Sequence, residues 1–311
     1  MNAAPFISIV IPTYDEPERL CAALESLAIQ DYPLDDAEII VIDDASPEPV
    51  DAQRLYRAAG SRPLQLLQHQ TNQGRAIARN TGIAAAAGEI IVFLDSDMTV
   101  APDFLRLHAQ AHRQYPGAVA IGQIRFGPQI PINCFTRYIE SRGVQGLHPG
   151  EAVPFKCFVT GNSSVARQLL LQVGLFDEDF RAYGGEDLEL GYRLHQPRAN
   201  FVYLPQALSL HHHIRPFQQI LRLMYTYGHQ SLPILLDKHP ELAGLLRLGF
   251  LARSPLHPKS LVWRLALLPL VYYPVRWLAQ CGLKHYVPDL FFDYLLWRNR
   301  TCGYLAAPSG K

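Results

Sequence analysis

The stretch from Gly88 to Met98, Gly-Glu-Ile-Ile-Val-Phe-Leu-Asp-Ser-Asp-Met, sets the tightest limit on how this chain can fold. Its unbroken apolar run, β-branched and aromatic residues included, predicts a strand buried on both faces. Such a strand belongs inside an α/β sheet with helices on either side. The run stops at two carboxylates, Asp95 and Asp97, one residue apart. Strand alternation would turn both to the same side, at the carboxyl edge where open parallel sheets hold ligands. Two acids facing one crevice repel each other unless a cation or a proton intervenes. An Asp-Ser-Asp turn or helix cap is the plain alternative.

The flanking sequence repeats the pattern. Phe6 to Ile11 predicts a strand closed by Pro12, followed by a helix with Pro17 at its first position and an acid as its cap. Glu38 to Ile42 predicts a second buried strand, which also ends in acids, Asp43 and Asp44, and Leu64 to Gln68 a third. Strand, helix, strand at about thirty residues per unit is the rhythm of a parallel sheet. Arg75 and Arg79 lie four apart near the amino end of an alanine-rich helix. That placement suits an anion, or forms a solvated basic face.

The second half is less regular. Val119 to Ile124 predicts a strand, and the Pro- and Gly-bearing stretch 127–150 a functional loop or lid. Phe158 to Ser164 reads as a strand running into a turn, then a helix over Val165 to Val173. Gly184 and Gly185 precede a helix whose first turn holds Glu186 and Asp187, acids favoured there by the helix dipole. Two short strands, Phe201 to Leu204 and Ala207 to Leu210, lead into His211-His212-His213, where alternation pairs His211 with His213. Helices are predicted over Phe217 to Tyr227 and Gly244 to Leu251. Leu261 to Leu283 is strongly apolar, but Arg264, Arg276, Pro269 and Pro274 argue for an interfacial or packing role over a spanning helix.

Charge excludes one class of partner. Twenty-eight basic residues balance twenty-eight acidic ones, and no basic aromatic face is visible, so nucleic acid is not an expected ligand. The five cysteines form no C-x-x-C pair and read as reduced, mostly buried thiols, which with the lack of a signal peptide predicts a cytoplasmic protein.

Taken together, Ile11-Pro-Thr-Tyr14, Val41-Ile-Asp-Asp-Ala-Ser46, Asn72-Gln-Gly74 with Ala78-Arg-Asn-Thr-Gly82, Asp95-Ser-Asp97 and Gly184-Gly-Glu-Asp-Leu-Glu189 resemble the family-2 glycosyltransferases. The resemblance runs from about residue 6 to about residue 228. It implies the nucleotide-sugar-binding GT-A fold, a Rossmann-like, mostly parallel sheet flanked by helices, here with a C-terminal helical extension. The expected parts are a nucleotide-binding half over 1–98, an acceptor-binding and catalytic half over 99–215, and the extension over 216–311.

Residue by residue, the resemblance implies that Pro12 and Tyr14 line the nucleotide pocket, Asp44 hydrogen-bonds the base edge, and Arg75 lies near base and diphosphate. Asp95 would contact the ribose, and Asp97 a divalent Mn²⁺ or Mg²⁺ joined by His211 or His213. Asp187 would be the general base with Glu186 orienting a sugar, and Gly161, Asn162, Gly184 and Gly185 would frame the sugar pocket. A base at a helix amino end is expected to have its pKa held down.

The implied reaction is inverting transfer of one sugar from a nucleotide-diphosphate sugar, a UDP-sugar by the base-recognition residues, to a saccharide or lipid-linked acceptor. Peripheral contact through 255–311 with the inner face of the cytoplasmic membrane is a further expectation. Processive synthases of this family carry Gln-x-x-Arg-Trp. Here Gln219-Ile-Leu-Arg222 is followed by Leu223, which favours single transfer. The family's usual asparagine after Pro-Thr-Tyr is Asp15. A sugar-phosphate nucleotidyltransferase would place a Gly-rich loop at Pro12–Glu16, which is absent. A non-catalytic binder is the other alternative, although the metal-site acids and the base are all retained.

Overall fold

The computed structural model describes residues 4–147 and 152–308. In chain order the elements are β1 (Ile7–Thr13), α1 (Pro17–Ala28), β2 (Ala37–Asp43), α2 (Ala52–Ala59), β3 (Leu64–Gln68), α3 (Arg75–Ala85), β4 (Ile90–Leu94) and β5 (Met98–Val100). Then come α4 (Phe104–Gln114), β6 (Val119–Phe126), α5 (Cys134–Glu140), β7 (Asn162–Ala166), α6 (Arg167–Val173), α7 (Glu186–His195) and β8 (Phe201–His211). Six helices follow: α8 (Phe217–Thr226), α9 (Leu232–Lys238), α10 (Leu242–Leu245), α11 (Pro258–Ala266), α12 (Pro269–Gly282) and α13 (Asp289–Ala306).

These elements divide into two compact units. The first comprises Met1–Ile130, Glu140–Arg181 and Glu186–Ile214, and the second Pro131–Ile139, Ala182–Gly185 and Arg215–Lys311.

The first unit is built on one eight-stranded sheet in the order β3-β2-β1-β4-β7-β6-β8-β5. The first four strands run parallel, β7 enters antiparallel between β4 and β6, and β5 closes the far edge antiparallel to β8. Alternation sorts the apolar runs cleanly. Ile9, Ile39 and Val92 enter a core on one face with Leu24 and Phe104, while Val10, Ile40 and Phe93 enter a core on the other with Ile83 and Leu190. Both faces are therefore covered, which is why these strands read as continuous apolar segments.

Strand direction then brings the functional ends together. Thr13 pairs with Asp43, Leu94 with Asn162, and His211 with both Phe126 and Met98. The carboxyl ends of β1, β2, β4, β6 and β8 and the amino ends of β5 and β7 thus share one edge, next to the β1/β4 switch point where α/β sheets bind ligands.

Several expectations change. Asp95 and Asp97 lie in a turn between β4 and β5, so strand alternation does not orient them. The two short strands over 201–210 are one strand, β8, whose register against β6 jumps from Gly122↔Leu204 to Gln123↔Leu208. The irregularity holds Pro205, which has no N–H to give a ladder. The loop expected over 127–150 contains α5, and its residues 148–150 lie outside the described ones.

In the second unit Phe135, Phe217 and Phe292 pack as an aromatic cluster, with ring centroids 4.9 to 5.5 Å apart. Tyr138 adds a hydrogen bond of 2.8 Å to Asp293. The helix expected over Gly244 to Leu251 is reduced to α10, and Arg247 beyond it takes a left-handed φ of 57° that a continuing helix does not allow. The apolar segment 261–283 breaks at Leu267–Leu268, ahead of Pro269 at the first turn of α12. Among the described residues no helix is long and apolar enough to cross a membrane. All five cysteines are free thiols, and Cys281 is exposed.

Candidate active site

The shared sheet edge carries two clusters of ionisable side chains on either side of the Asp95–Asp97 turn. In the first, Arg79 reaches from α3 into an almost solvent-free position, 4% exposed. Its Nη2 donates to Asp95 Oδ1 at 3.1 Å, and its Nη1 lies 3.6 Å from Glu186 Oε1 and 3.8 Å from Asp187 Oδ1. Arg75 Nη1 is 3.4 Å from the same Glu186 oxygen. Three carboxylates thus surround two guanidinium groups, so the basic pair is not a solvated face.

Glu186 and Asp187 stand in this cluster because α7 begins with them. Gly184 and Gly185 make that start possible, with φ of 84° and 103° that L side chains rarely adopt. Asp187 is steadied from β7's approach, where Thr160 donates to it through both its N–H (3.3 Å) and its hydroxyl (3.2 Å). Gly161 follows, and a Cβ there would come 3.3 Å from Asp95 Oδ2 and 2.6 Å from Met98 Cε.

Burial pushes the Asp187 carboxyl up to about 6, with the Glu186 charge adding to it and Arg79 opposing. The expectation of a depressed pKa is therefore corrected. The helix dipole is outweighed by desolvation and by a second carboxylate in the same turn.

The second cluster joins β1, the β4–β5 turn and the end of β8. His211 Nε2 lies 2.9 Å and His213 Nδ1 3.9 Å from Asp97 Oδ2. His212 turns away, to Thr99 Oγ1 at 2.7 Å and Gln129. His211 is further fixed by stacking on Phe126, 5.8 Å between centroids. Glu16, Asp97 and His213 each offer one ligand atom, all within 4.8 Å of one another. Two carboxylates and an imidazole form a donor set fitted to a divalent cation, Mn²⁺ in preference to Mg²⁺ on account of the nitrogen.

Burial raises the Glu16 carboxyl and the Asp97 charge adds to it. For Asp97 burial acts upward too, but the hydrogen bond and charge of His211 and the charge of His213 together bring it below its ordinary value. The acid pair is thus held at short range with one member stabilised as the anion.

Glu16 was missed from the sequence, where it reads as a helix cap. Its carboxylate caps nothing; it accepts from Arg19 at 2.7 Å and from Ser96 Oγ at 3.3 Å. Its one signal was an acid just past the carboxyl end of a parallel strand, as at Asp44 and Asp95. Thr160 carried no signal at all.

Tyr14 and Pro12 lie at the end of β1, and Tyr14 is 48% exposed, open to a planar ligand. Asp15 adopts φ 57° and its N–H donates to Ser46 Oγ at 2.9 Å, a left-handed position that Asn or Asp both tolerate.

Two residues expected at the ligand are buried and hydrogen-bonded within the protein. Asp44 is buried, and accepts from Gln73 N (2.9 Å), Gly74 N (2.8 Å) and His69 Nδ1 (2.7 Å). It anchors the loop that leads into α3 and so positions Arg75. Asn162 is fully buried, its amide donating to Gln123 O, Ala207 O and Ser209 Oγ and accepting at Oδ1 from His108. It staples β6, β7 and β8 and does not reach a sugar pocket.

A model described as glycosyl transferase family 2 matches residues 8–162, and one described as glycosyl transferase family group 2 matches residues 90–295. The chain is 29% identical over 254 residues to an uncharacterized glycosyltransferase of Bacillus subtilis (strain 168), covering 66% of this chain and 64% of that one. It is 31% identical over 223 residues to validoxylamine A glucosyltransferase of Streptomyces hygroscopicus subsp. jinggangensis (strain 5008), covering 61% and 51%. This chain therefore spans between about half and two thirds of the length of these relatives.

Among solved structures, a mannosyltransferase of Pyrobaculum calidifontis in complex with GDP-Man and Mn²⁺ superposes with a TM-score of 0.60 at 18% identity, over 98% of this chain and 88% of that one. S. aureus TarS 1–349 in complex with UDP gives 0.53 at 17%, over 96% and 89%. At these identities the likeness is one of fold.

Proposed function

This chain belongs to glycosyl transferase family 2 and has the GT-A fold, and from that premise we propose that it moves one sugar from a nucleotide-diphosphate sugar to an acceptor hydroxyl, with inversion. The observation that carries the reading is the Asp187 carboxyl, raised to about 6 and joined through Arg79 to Asp95, two residues from the cation-binding set. A base of that pKa is ionised at neutral pH yet still takes a proton readily.

In the reaction, Asp187 accepts the proton of an acceptor hydroxyl as that oxygen attacks the anomeric carbon. The bond from that carbon to the diphosphate oxygen breaks on the opposite face, and the electron pair leaves with the nucleotide. Glu16, Asp97 and His213 would hold the cation, and His211 fixes the Asp97 carboxylate from its side. When bound there, a divalent cation supplies positive charge against the departing diphosphate. Arg75 adds charge from the amino end of α3, and exposed Tyr14 stacks on the base. Buried Arg79 Nη1 and Glu186 Oε2 have no hydrogen-bond partner among the described residues. The family resemblance, with Asp44 at the base edge, favours a UDP-sugar, and the acceptor is a saccharide or lipid-linked hydroxyl.

Two results are expected. Saturating UDP-sugar with Mn²⁺ should raise Tm by about 5 °C, and the gain should vanish in chelator. No stabilisation by UDP-, GDP- or dTDP-sugars with either Mn²⁺ or Mg²⁺ would sink the proposal. With acceptor present, kcat should rise through about pH 6, as Asp187 loses its proton, and level off above. A limb near pH 4, the ordinary aspartate range, would place the base elsewhere.

A further inference from the structure

The helices of the second unit expose a face that transfer chemistry does not require. More than half of the large apolar side chains exposed anywhere in the described chain fall between Leu256 and Leu290. On α12 they fall on one side at helical spacing: Leu270 (83% exposed), Tyr273 (63%), Trp277 (63%) and Leu278 (47%). The opposite side of α12 packs inward through Tyr272 and Ala279. On α11, Leu261, Val262 and Leu265 are likewise exposed. Exposed apolar side chains gathered in this way mark an interaction site.

Charge identifies what covers it. From Leu242 to Pro288 the chain holds six cations, Arg247, Arg253, Lys259, Arg264, Arg276 and Lys284, and no aspartate or glutamate, although acids and bases balance over the whole chain. Arg247, Arg253, Lys259 and Lys284 are exposed. Exposed cations interspersed with exposed leucine, valine, tryptophan and tyrosine, in a stretch without acids, are complementary to anionic headgroups over an apolar layer. A second copy of this chain would set the same six cations against themselves.

We propose that α11 and α12 dock this protein on the surface of an anionic lipid bilayer. Trp277, Leu270 and Tyr273 enter the headgroup–acyl boundary, and the exposed lysines and arginines meet lipid phosphates. The helices lie on the bilayer and do not span it.

The test is co-sedimentation of the full chain with phosphatidylcholine vesicles and with vesicles that also contain phosphatidylglycerol, and it reads no catalysis. Binding is expected only to the second kind, and should weaken as salt rises. The double variant Leu270→Glu, Trp277→Glu alters only exposed positions, so its Tm should match the parent's while its partition coefficient falls at least about tenfold. Lys259→Gln and Arg253→Gln should each lower binding about fivefold. The idea is overturned if the intact chain ignores anionic vesicles, or if the double glutamate variant binds as well as the parent. It is equally overturned if the chain is a lipid-free dimer that this variant dissociates.

Discussion

Asp187→Asn is expected to lower turnover by about three orders of magnitude while donor binding survives. The asparagine Oδ1 can still accept from Thr160, so the turn that holds position 187 stays in place. What disappears is the proton acceptor. Measured side by side, kcat should collapse and donor-induced stabilisation should persist. Turnover equal to the parent's would remove Asp187 from the chemistry, and loss of donor binding along with turnover would make its role structural. A catalytically silent nucleotide-sugar binder would show no turnover in either protein, so the same pair of measurements separates the rival reading.

The substitution also has a signature in stability. Burial and Glu186 raise the folded carboxyl above its unfolded value. Its contribution is therefore fully present below the unfolded pKa, about 4, and is lost as pH climbs through about 6. Asparagine, neutral throughout, does not suffer that loss. Above pH 6 the variant should melt no lower than the parent, and near pH 4 the two should converge.

Arg79→Met is the second large effect, and it should act on folding first. The guanidinium is buried among Asp95, Glu186 and Asp187. Without it, acids from β4's end and α7's first turn face one another with only Arg75 near Glu186. Removing one partner from a buried ionic cluster costs about 3–5 kcal/mol, and the fall should appear in the urea midpoint. Any surviving activity should have its acid limb moved above pH 6, because the group opposing the rise in Asp187 is gone. Arg79→Lys should recover little of either, since a point charge cannot face Asp95 and Glu186 together as the planar fork does. An unchanged midpoint in Arg79→Met would contradict this placement.

Much of the frame could be read in advance because it obeys local rules. β1, β2 and β4 are apolar runs buried on two faces, with acids at or just past their carboxyl ends. The glycine pair ahead of Glu186 announces a backbone that needs positive φ. What could not be read is what depends on distant neighbours. The insertion of β7 between β4 and β6 brings Thr160 to Asp187, 27 positions further along the sequence. Asp44 reads as a ligand contact, and the folding back of the loop at Gln73–Gly74 onto its oxygens leaves no mark in the sequence around it. Asn162 has the polarity of a pocket residue, yet its surroundings come from three strands and α4. The raised pKa of Asp187 follows from burial that no stretch of α7 reveals.

The irregularity between β6 and β8 has a bearing on how forgiving this design is. Past it, the ladder runs Gln123↔Leu208 through Phe126↔His211, and so dictates which imidazoles turn to Asp97. An insertion or deletion at Pro205–Ala207 would advance or retard everything downstream by a step. With three imidazoles in succession, a single-step slip in either direction still delivers a nitrogen to one of the two productive positions. The run His211-His212-His213 thus works as a spare-part arrangement, letting the strand that carries it change length without stripping the edge of its nitrogen donor.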